Sequence, residues 1–460
     1  MLIAHLALEA PEHFGGDDVD ALFGADIALA KWEDPRATDP AFLAACVLRA
    51  SGLDEAERRA ADARLTGTRA KKANPVDRAF SAARGRAASM FNLVLSALDM
   101  RGGAHAASLS VVFEEMPSAR VAPDVVSHAL ARAACVSAGD DAGAGALLAA
   151  ARRAAAAPAE RAANTDTDTL TRDASPSANA INLNAASLRV VYEDAHVVAV
   201  SKPAGVLTHE PKKRGAGKTR APKKKARDGD AVSSALARAY GTGGLSAVGA
   251  HVSGPGIVHR LDRPTTGVLL VAKTDEAHLG LVARWFQRRV RKTYLALTER
   301  HPGDVDARRL KTARAFEGRA AAPVDGKPAR SDWRVLETFE GDESAQQTFA
   351  LVEVRPLTGR KHQIRQHMGL ELRAPLVLDP LYRNGQPSFG LPRRAEEALA
   401  TPGFGTGTTR SKKKAKPGDT LFLHARSIEL EHPITGEALV LEDPPPPAFE
   451  AVLEALRKEK

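Results

Sequence analysis

The chain has 460 residues, 44% of them apolar, so it is long enough for two or three folded units with buried cores. Its 65 Lys and Arg exceed its 56 Asp and Glu, and the formal charge of +9 favours a polyanionic partner without separating RNA, DNA and acidic membrane surfaces. Uncharged apolar stretches long enough to cross a bilayer are absent, which excludes a membrane-spanning protein. Cys46 and Cys135 lack the spacing of a zinc site or of a disulfide framework, which excludes a small scaffold held together by metal or disulfides.

Residues 1–153 predict an all-α region. The segment is rich in alanine, and apolar residues such as Val94 and Leu98 recur at helical spacing. A period of 37 residues aligns Phe91 with His128, which is typical of a helical repeat.

The repeat carries Phe91-Asn92, the sequence FEEM and the sequence PDVVS, and in these it resembles pentatricopeptide repeats, which read single-stranded RNA. The resemblance implies that Asn92 and Asp124 are base-reading positions and that the protein acts in a chloroplast or mitochondrion. No transit peptide is visible, because the first residues are acidic, so the cytoplasm and nucleus stay open for a soluble intracellular protein. The alternative is a helical bundle used for packing or protein contact.

Residues 154–184 are small and polar and predict a flexible linker. Residues 185–450 then predict an α+β domain with a mixed, largely antiparallel sheet and flanking helices, including one helix near 276–289. Short β-branched runs such as VVYEDAHVVAVSKP, GVLLVAK, KTYLALT, TFALVEVRPL and LFLHARSIEL carry this prediction. Basic insertions at 211–227 and 410–416 interrupt the domain, and Lys223, Lys224 and Lys225 are candidate RNA contacts.

A polar turn containing Asp262 lies between two of the β-rich runs, in the sequence GIVHRLDRPTTGVLLV that begins at Gly256. An aspartate there can cap the turn or pair with Arg260 or Arg263. It can also present a carboxylate at the floor of a cleft. The turn by itself leaves both interpretations open.

Four segments in order resemble the RluA-type RNA pseudouridine synthase family. They are EDAHVVAVSKPAGVLTH (193–209), HRLDRPTTGVLLVAKT (259–274), RKTYLAL (291–297) and VRPLTGRKHQIRQHM (354–368). The resemblance spans about 188–443, and it departs from the family in having Thr266 where a serine is usual and in the insertion after His209. It implies a pseudouridine synthase fold and an isomerase that acts on uridines already in RNA.

The resemblance also implies the site. Asp262 corresponds to the catalytic carboxylate, Tyr294 to the tyrosine that stacks on the target base, and Arg365 to the guanidinium beside the aspartate. The remaining substrate-binding positions are His259, Arg260, Leu261, Arg360, His362 and Gln363.

We therefore expect an enzyme that converts specific uridines of structured ribosomal or transfer RNA, with messenger RNA a further option, to pseudouridine. We expect no cofactor, metal ion, membrane contact or obligate protein partner, and a monomeric chain. The rival hypotheses are a catalytically silent RNA-binding protein and a ribosome-assembly factor on the same fold. The presence of Asp262, Tyr294 and Arg365 together favours the enzyme.

Overall fold

The computed structural model describes most of the second half of the chain and part of the first. The described residues are Ala41, Ala44, Val47, Leu48, 75–101, 104–162, 180–182, 187–210, 231–241, 243–304, 315–340, 348–383, 390–399 and 421–458. The chain forms two compact units, one of residues 1–164 with 279–287 and one of residues 165–278 with 288–460.

The first unit is helical in its described residues. Helix α1 spans Pro75–Arg101, and α2 spans His105–Ser110 and continues through a π-helical turn, Val111–Glu115, and a last turn, Met116–Ser118. Helices α3 (Val125–Ala138) and α4 (Asp141–Ala162) follow. Its fully buried large side chains are Phe91, Leu95, Leu98, Met116, Leu130 and Leu147.

The predicted linker begins later than 154, because α4 continues to Ala162. Alanine has the highest helix propensity, and the alanine run at its end extends the helix despite Pro158. Strand β1 (Ala180–Asn182) also lies inside the predicted linker, where it pairs with the next strand.

The second unit is built on one sheet whose described strands follow the order β1-β2-β3-β4-β9-β5-β8-β7-β6, with β10 paired to β9. The pairings are antiparallel except between β4 and β9, which run parallel. The mixed, largely antiparallel sheet is the one predicted. Its other strands are β2 (Ser187–Glu193), β3 (Val197–Lys202), β4 (Thr266–Ala272), β5 (Arg291–Thr298), β6 (Glu317–Ala320), β7 (Ser331–Glu340), β8 (Thr348–Pro356), β9 (Leu423–Glu431) and β10 (Ala438–Glu442).

Helices accompany the strands of this sheet along the chain. In chain order they are α5 (Val232–Tyr240), α6 (Ala250–Ser253), α7 (Asp275–Phe286), α8 (Gln363–Gln366) continued by a π-helical segment (His367–Glu371), α9 (Arg393–Ala398) and α10 (Pro447–Arg457). Residues 279–286 of α7 belong to the first unit. Helix α7 is the helix predicted near 276–289.

The parallel contact of β4 with β9 joins the two halves of the sheet and requires a glycine. Gly267 has φ +117, and a Cβ there would collide with the backbone of Ala425. Next to it, the Thr266 hydroxyl lies 2.9 Å from His424 Nδ1. Thr266, the departure from the family pattern, is therefore a buried link between the halves.

Alternate residues of the central strands fill separate cores on the two faces. On one face, Ala296, Val352 and Val354 pack against the helix of residues 363–371. On the other, Leu297, Leu351 and others pack against α10. Tyr294 lies on the first face. It packs both against the cluster just described and against a second cluster, which contains Val200 of β3 and Leu269 of β4, so β5 places it near the middle of the sheet.

Candidate active site

The turn that carries Asp262 leads into β4. The amide of Thr265 donates to the carbonyl of Asp262 at 3.0 Å, which closes the turn. The Asp262 side chain is 16% exposed, so it is recessed but open to solvent. The carboxylate is therefore accessible from solvent, which agrees with the second of the two interpretations of this turn.

The end of β3 and the segment that follows it form hydrogen bonds with the backbone of this turn. Lys202 Nζ donates to the carbonyl of Arg263 at 3.0 Å, and the backbone amide of Gly205 donates to the same carbonyl at 2.9 Å. The Thr208 hydroxyl donates to the carbonyl of Leu261 at 2.8 Å and accepts from its amide at 3.1 Å. These bonds fix the backbone on both sides of the aspartate.

Lys202 is fully buried next to the site. Burial lowers its pKa to about 7, the negative charge of Asp262 opposes the shift, and the positive charge of Arg263 adds to it. The charge state of Lys202 therefore affects the electrostatic potential at Asp262.

His259 supports the turn from inside. Its Nε2 accepts the backbone amide of Leu270 at 2.8 Å, and burial, followed by the charge of Lys292, lowers its pKa to about 3. The ring is therefore neutral, and this nitrogen is occupied. Leu261 is likewise a core residue, 4% exposed. Both were predicted to bind substrate, and the structure gives them roles in holding the turn.

Tyr294 projects from β5, where it pairs with Val354 on one side and Ala425 on the other. It is half-buried, and burial together with the negative charge of Asp262 raises its pKa. Its phenol is therefore protonated at neutral pH. The fold places Tyr294 close enough to Asp262 for the charge of the carboxylate to act on the phenol.

Arg365 is nearly buried, and its guanidinium is engaged by a carboxylate that was not predicted. Arg365 Nε and one terminal nitrogen bond the two oxygens of Asp379 at 2.8 and 2.7 Å, with the side chains 4% and 0% exposed. The positive charge still interacts with Asp262. Arg365 thus lies beside Asp262, while two of its guanidinium nitrogens form a bidentate ion pair with Asp379.

His362 is a titratable neighbour of Asp262. Its Nε2 lies 3.8 Å from Asp262 Oδ1, and its Nδ1 lies 2.7 Å from the hydroxyl of Tyr382. Burial lowers the pKa of His362, and Asp262 opposes the shift. The imidazole is therefore mostly neutral at pH 7.

Two predicted substrate contacts shape the loop before α8. Gln363 is 4% exposed, and its amide bonds Thr358, the Arg360 amide, the Arg330 carbonyl and Ser331. Arg360 Nε donates to the carbonyl of Pro328 at 3.1 Å. These four bonds use both N–H groups and both lone pairs of the Gln363 side-chain amide.

Arg260, by contrast, is exposed next to the recessed aspartate. Lys223, Lys224 and Lys225 lie outside the described residues.

Asn92 and Asp124, predicted to read bases, bond each other. Asn92 is 4% exposed, its amide nitrogen lies 3.2 Å from Asp124 Oδ1, and its oxygen accepts from Ser127 at 2.7 Å. Asp124 caps α3 through the amides of Val126 and Ser127, both at 2.9 Å. Both side chains therefore take part in the cap of α3.

Four residues of the site were not predicted: Lys202, Thr208, Asp379 and Tyr382. Lys202 and Thr208 lie in the family-like segment 193–209, whose sequence does not show which side chains approach Asp262. Among the described residues, no group of three His, Cys, Asp or Glu is arranged to hold a metal ion. No helix of the described part of the chain combines the length and apolar character needed to cross a bilayer.

Residues 196–369 match the family model described as RNA pseudouridylate synthase. Ribosomal large subunit pseudouridine synthase D of Xanthomonas campestris is 33% identical over 288 residues, 59% of this chain and 70% of the relative. The protein of the same name from Pseudomonas aeruginosa is 35% identical over 277 residues, 59% of this chain and 73% of the relative.

Among solved structures, human RNA Pseudouridylate Synthase Domain Containing 4 matches at 23% identity and a TM-score of 0.38, covering 58% of this chain and 92% of that one. The family match begins after the helical region, and the resemblance of that region to pentatricopeptide repeats finds no support in these comparisons.

Proposed function

Because this chain belongs to the RNA pseudouridylate synthase family and isomerises uridine in RNA, we propose that Asp262 is its catalytic carboxylate. The reaction breaks the N1–C1′ bond, turns the uracil and forms a C1′–C5 bond. C5 loses a proton and N1 gains one, so nothing is oxidised or reduced. An ionised carboxylate can serve as nucleophile or base in such a reaction without any cofactor.

The observation that carries this proposal is the set of groups gathered around one recessed, open carboxylate. Asp262 interacts through its charge with Lys202, Tyr294, His362, Arg365 and Tyr382. Nearby positive charge stabilises the ionised form of a carboxylate in a partly desolvated cleft. These five neighbours come from four separate chain segments, which is more than a solvated aspartate with a purely structural role in a turn would gather.

We assign the base-contacting roles to Tyr294 and Arg260. A uridine reaches a recessed carboxylate only after it leaves its stack, which costs a few kcal/mol. The Tyr294 ring offers a flat surface next to Asp262 for the extruded uracil. Arg260 is exposed at the mouth and is placed to fill the gap that the base leaves in the RNA.

For the substrate, we propose a uridine in large-subunit ribosomal RNA, because both bacterial relatives described above are named for that substrate. The purified full chain would be incubated with large-subunit ribosomal RNA and with transfer RNA transcripts, and pseudouridine would be mapped at single-nucleotide resolution. We expect one or a few modified positions in the ribosomal RNA. Modification of transfer RNA alone would overturn the choice of substrate and leave the chemistry standing.

The basic insertion at 211–227 is proposed to add phosphate contacts. Replacing Lys223, Lys224 and Lys225 together by Gln removes three charges, so the slope of log K against log salt should fall by about 2 to 3. Fluorescence anisotropy with a ribosomal RNA fragment between 50 and 200 mM salt, roughly the range over which such contacts weaken, measures the slope. A matched triple change of three exposed arginines outside the insertion, Arg334, Arg393 and Arg394, to Gln is the control. An unchanged slope would show that the three lysines are solvated.

The comparisons give the organelle expectation no support, and the monomeric state stays a prediction. Size-exclusion chromatography with light scattering would test the latter.

A further inference from the structure

The loop at 379–382 contacts both Arg365, which lies in α8, and His362, the residue that caps the N-terminus of α8. Asp379 bonds the guanidinium of Arg365, and the Tyr382 ring lies under that guanidinium with its centre 5.1 Å from the Cζ atom. The Tyr382 hydroxyl bonds His362 at 2.7 Å, with the rings at 73° and their centres 5.6 Å apart. A single loop therefore sets the position of two of the side chains beside Asp262, His362 and Arg365.

The backbone is shaped for this contact. His362 has φ +57 and ψ +23, a left-handed conformation that is uncommon outside glycine. Gly369 lets the carbonyl of Tyr382 approach so closely that a Cβ there would collide with it. Conformations of this kind cost free energy and persist where the surroundings require them, frequently at functional sites.

The negative charge of Asp262 favours one tautomer of His362. If Nδ1 carried the proton, Nε2 would turn a lone pair toward the negatively charged Asp262. If the Tyr382 hydroxyl donates to Nδ1, the proton sits on Nε2 and points at the carboxylate, which is attractive. Burial raises the pKa of Tyr382, with the charges of Asp379 and Asp262 adding to the shift and that of Arg365 opposing it, so the phenol keeps the proton it donates.

We propose that Tyr382 and His362 are positioning residues for Asp262, with the Tyr382 phenol fixing the His362 tautomer whose Nε2–H orients the carboxylate. The distance of 3.8 Å between Nε2 and Oδ1 exceeds a direct hydrogen bond, and such contacts commonly tighten when substrate binds. Neither residue touches the uridine in this scheme. The inference rests on the proposed role of Asp262.

The scheme has a pH signature. Protonation of His362 turns its contact with Asp262 into an ion pair and forces the Tyr382 hydroxyl to stop donating, so activity should fall in acid as His362 titrates. A donor at Nδ1 favours the neutral ring, so removing it should raise the pKa of His362 and move the acid limb to higher pH. The groups that face the imidazole are Asp262, Lys361, Arg365, Asp379 and Tyr382.

The test is a double-mutant cycle of Tyr382→Phe and His362→Gln, with kcat, KM and the pH profile measured by single-site pseudouridine formation. Tyr382→Phe keeps the ring under Arg365 and loses the hydroxyl. We expect kcat to fall about 3- to 10-fold at unchanged KM, and the acid limb to rise by about 0.5 to 1 pH unit. On the His362→Gln background, Tyr382→Phe should have no further effect, and that background should lack the limb.

Tyr192→Phe is the matched control, because its hydroxyl bonds Asp194 at 2.8 Å away from the turn. It should leave kcat and the pH profile unchanged. The proposal is overturned if Tyr382→Phe behaves like the wild type, if it lowers kcat equally on both backgrounds, or if His362→Gln retains the acid limb. The last result decides the matter even if Tyr382→Phe does not fold. An inactive wild type, or an active Asp262→Asn, would instead refute the proposed function.

Discussion

Asp262→Asn is expected to abolish pseudouridine formation, lowering the single-turnover rate by about 10⁴-fold or more. Asparagine keeps the shape of the side chain in its recessed position but supplies neither a nucleophilic oxygen nor a base. The charge of Asp262 contributes little to the phosphate contacts that dominate RNA affinity, so binding should stay within a few fold. Product is measured by site-specific mapping and affinity by filter binding.

The matched control is Asp332→Asn. Asp332 lies on β7, paired with Arg319 at 2.8 Å on the surface, and its replacement removes the same charge without touching the cleft. Its rate should equal that of the wild type. An Asp262→Asn protein that still makes pseudouridine at more than a few per cent of the normal rate would refute the assignment.

Asp379→Asn is expected to lower the free energy of unfolding by about 3–5 kcal/mol. The change keeps the oxygen that accepts from the amide of Leu381 at 2.9 Å but removes the charge that neutralises Arg365. Arg365 would then be a buried cation without its bidentate partner. The rate should fall as well, because the guanidinium can swing toward Asp262 and occupy it.

A second variant separates stability from chemistry. Replacing Arg365 by Met together with Asp379→Asn removes the unpaired charge, so much of the lost stability should return while activity stays low. Chemical denaturation and single-turnover assays measure the two effects. If Asp379→Asn unfolds at the wild-type denaturant concentration, or if the double variant regains activity, the pair is not a support of the site.

The sequence predicted the candidate catalytic residues better than it predicted the residues that position them. Asp262, Tyr294 and Arg365 could be placed by the order of their motifs. Asp379 and Tyr382 could not, because their contacts with Arg365 and His362 join positions 14 and 20 residues apart whose approach depends on the fold of the loop. His259 and Gln363 look like polar substrate contacts in a sequence, and only hydrogen-bond partners show that the backbone already uses them.

The same limit applies to the fold. Strands rich in Val, Leu and Ile, such as β4, were predicted from composition and pattern. Strand β7 was not among the predicted runs, because its exposed residues are charged: Arg334 pairs across to Glu353 at 3.2 Å on the surface while Trp333 and Val335 face inward. Cross-strand charge pairs conceal a strand from composition-based prediction.

In the helical unit, the repeat period predicted helices, and helices occupy the described residues of that region. The base-reading roles of Asn92 and Asp124 stay predictions. Asn92 and Asp124 are polar residues at an inter-helix contact, where Asp124 serves as a helix cap. A capping aspartate and a base-reading aspartate can occupy the same sequence position, and the bonds of the side chain are what separate them.

The most direct test of the central claim is a crystal or cryo-electron microscopy structure of Asp262→Asn bound to an RNA that contains the target uridine. We predict an extruded uridine with its C1′ next to the residue at position 262 and its base against the Tyr294 ring, with Arg260 in the vacated stack. A uridine that remains stacked in the RNA, or that binds in a different part of the protein, would contradict the account.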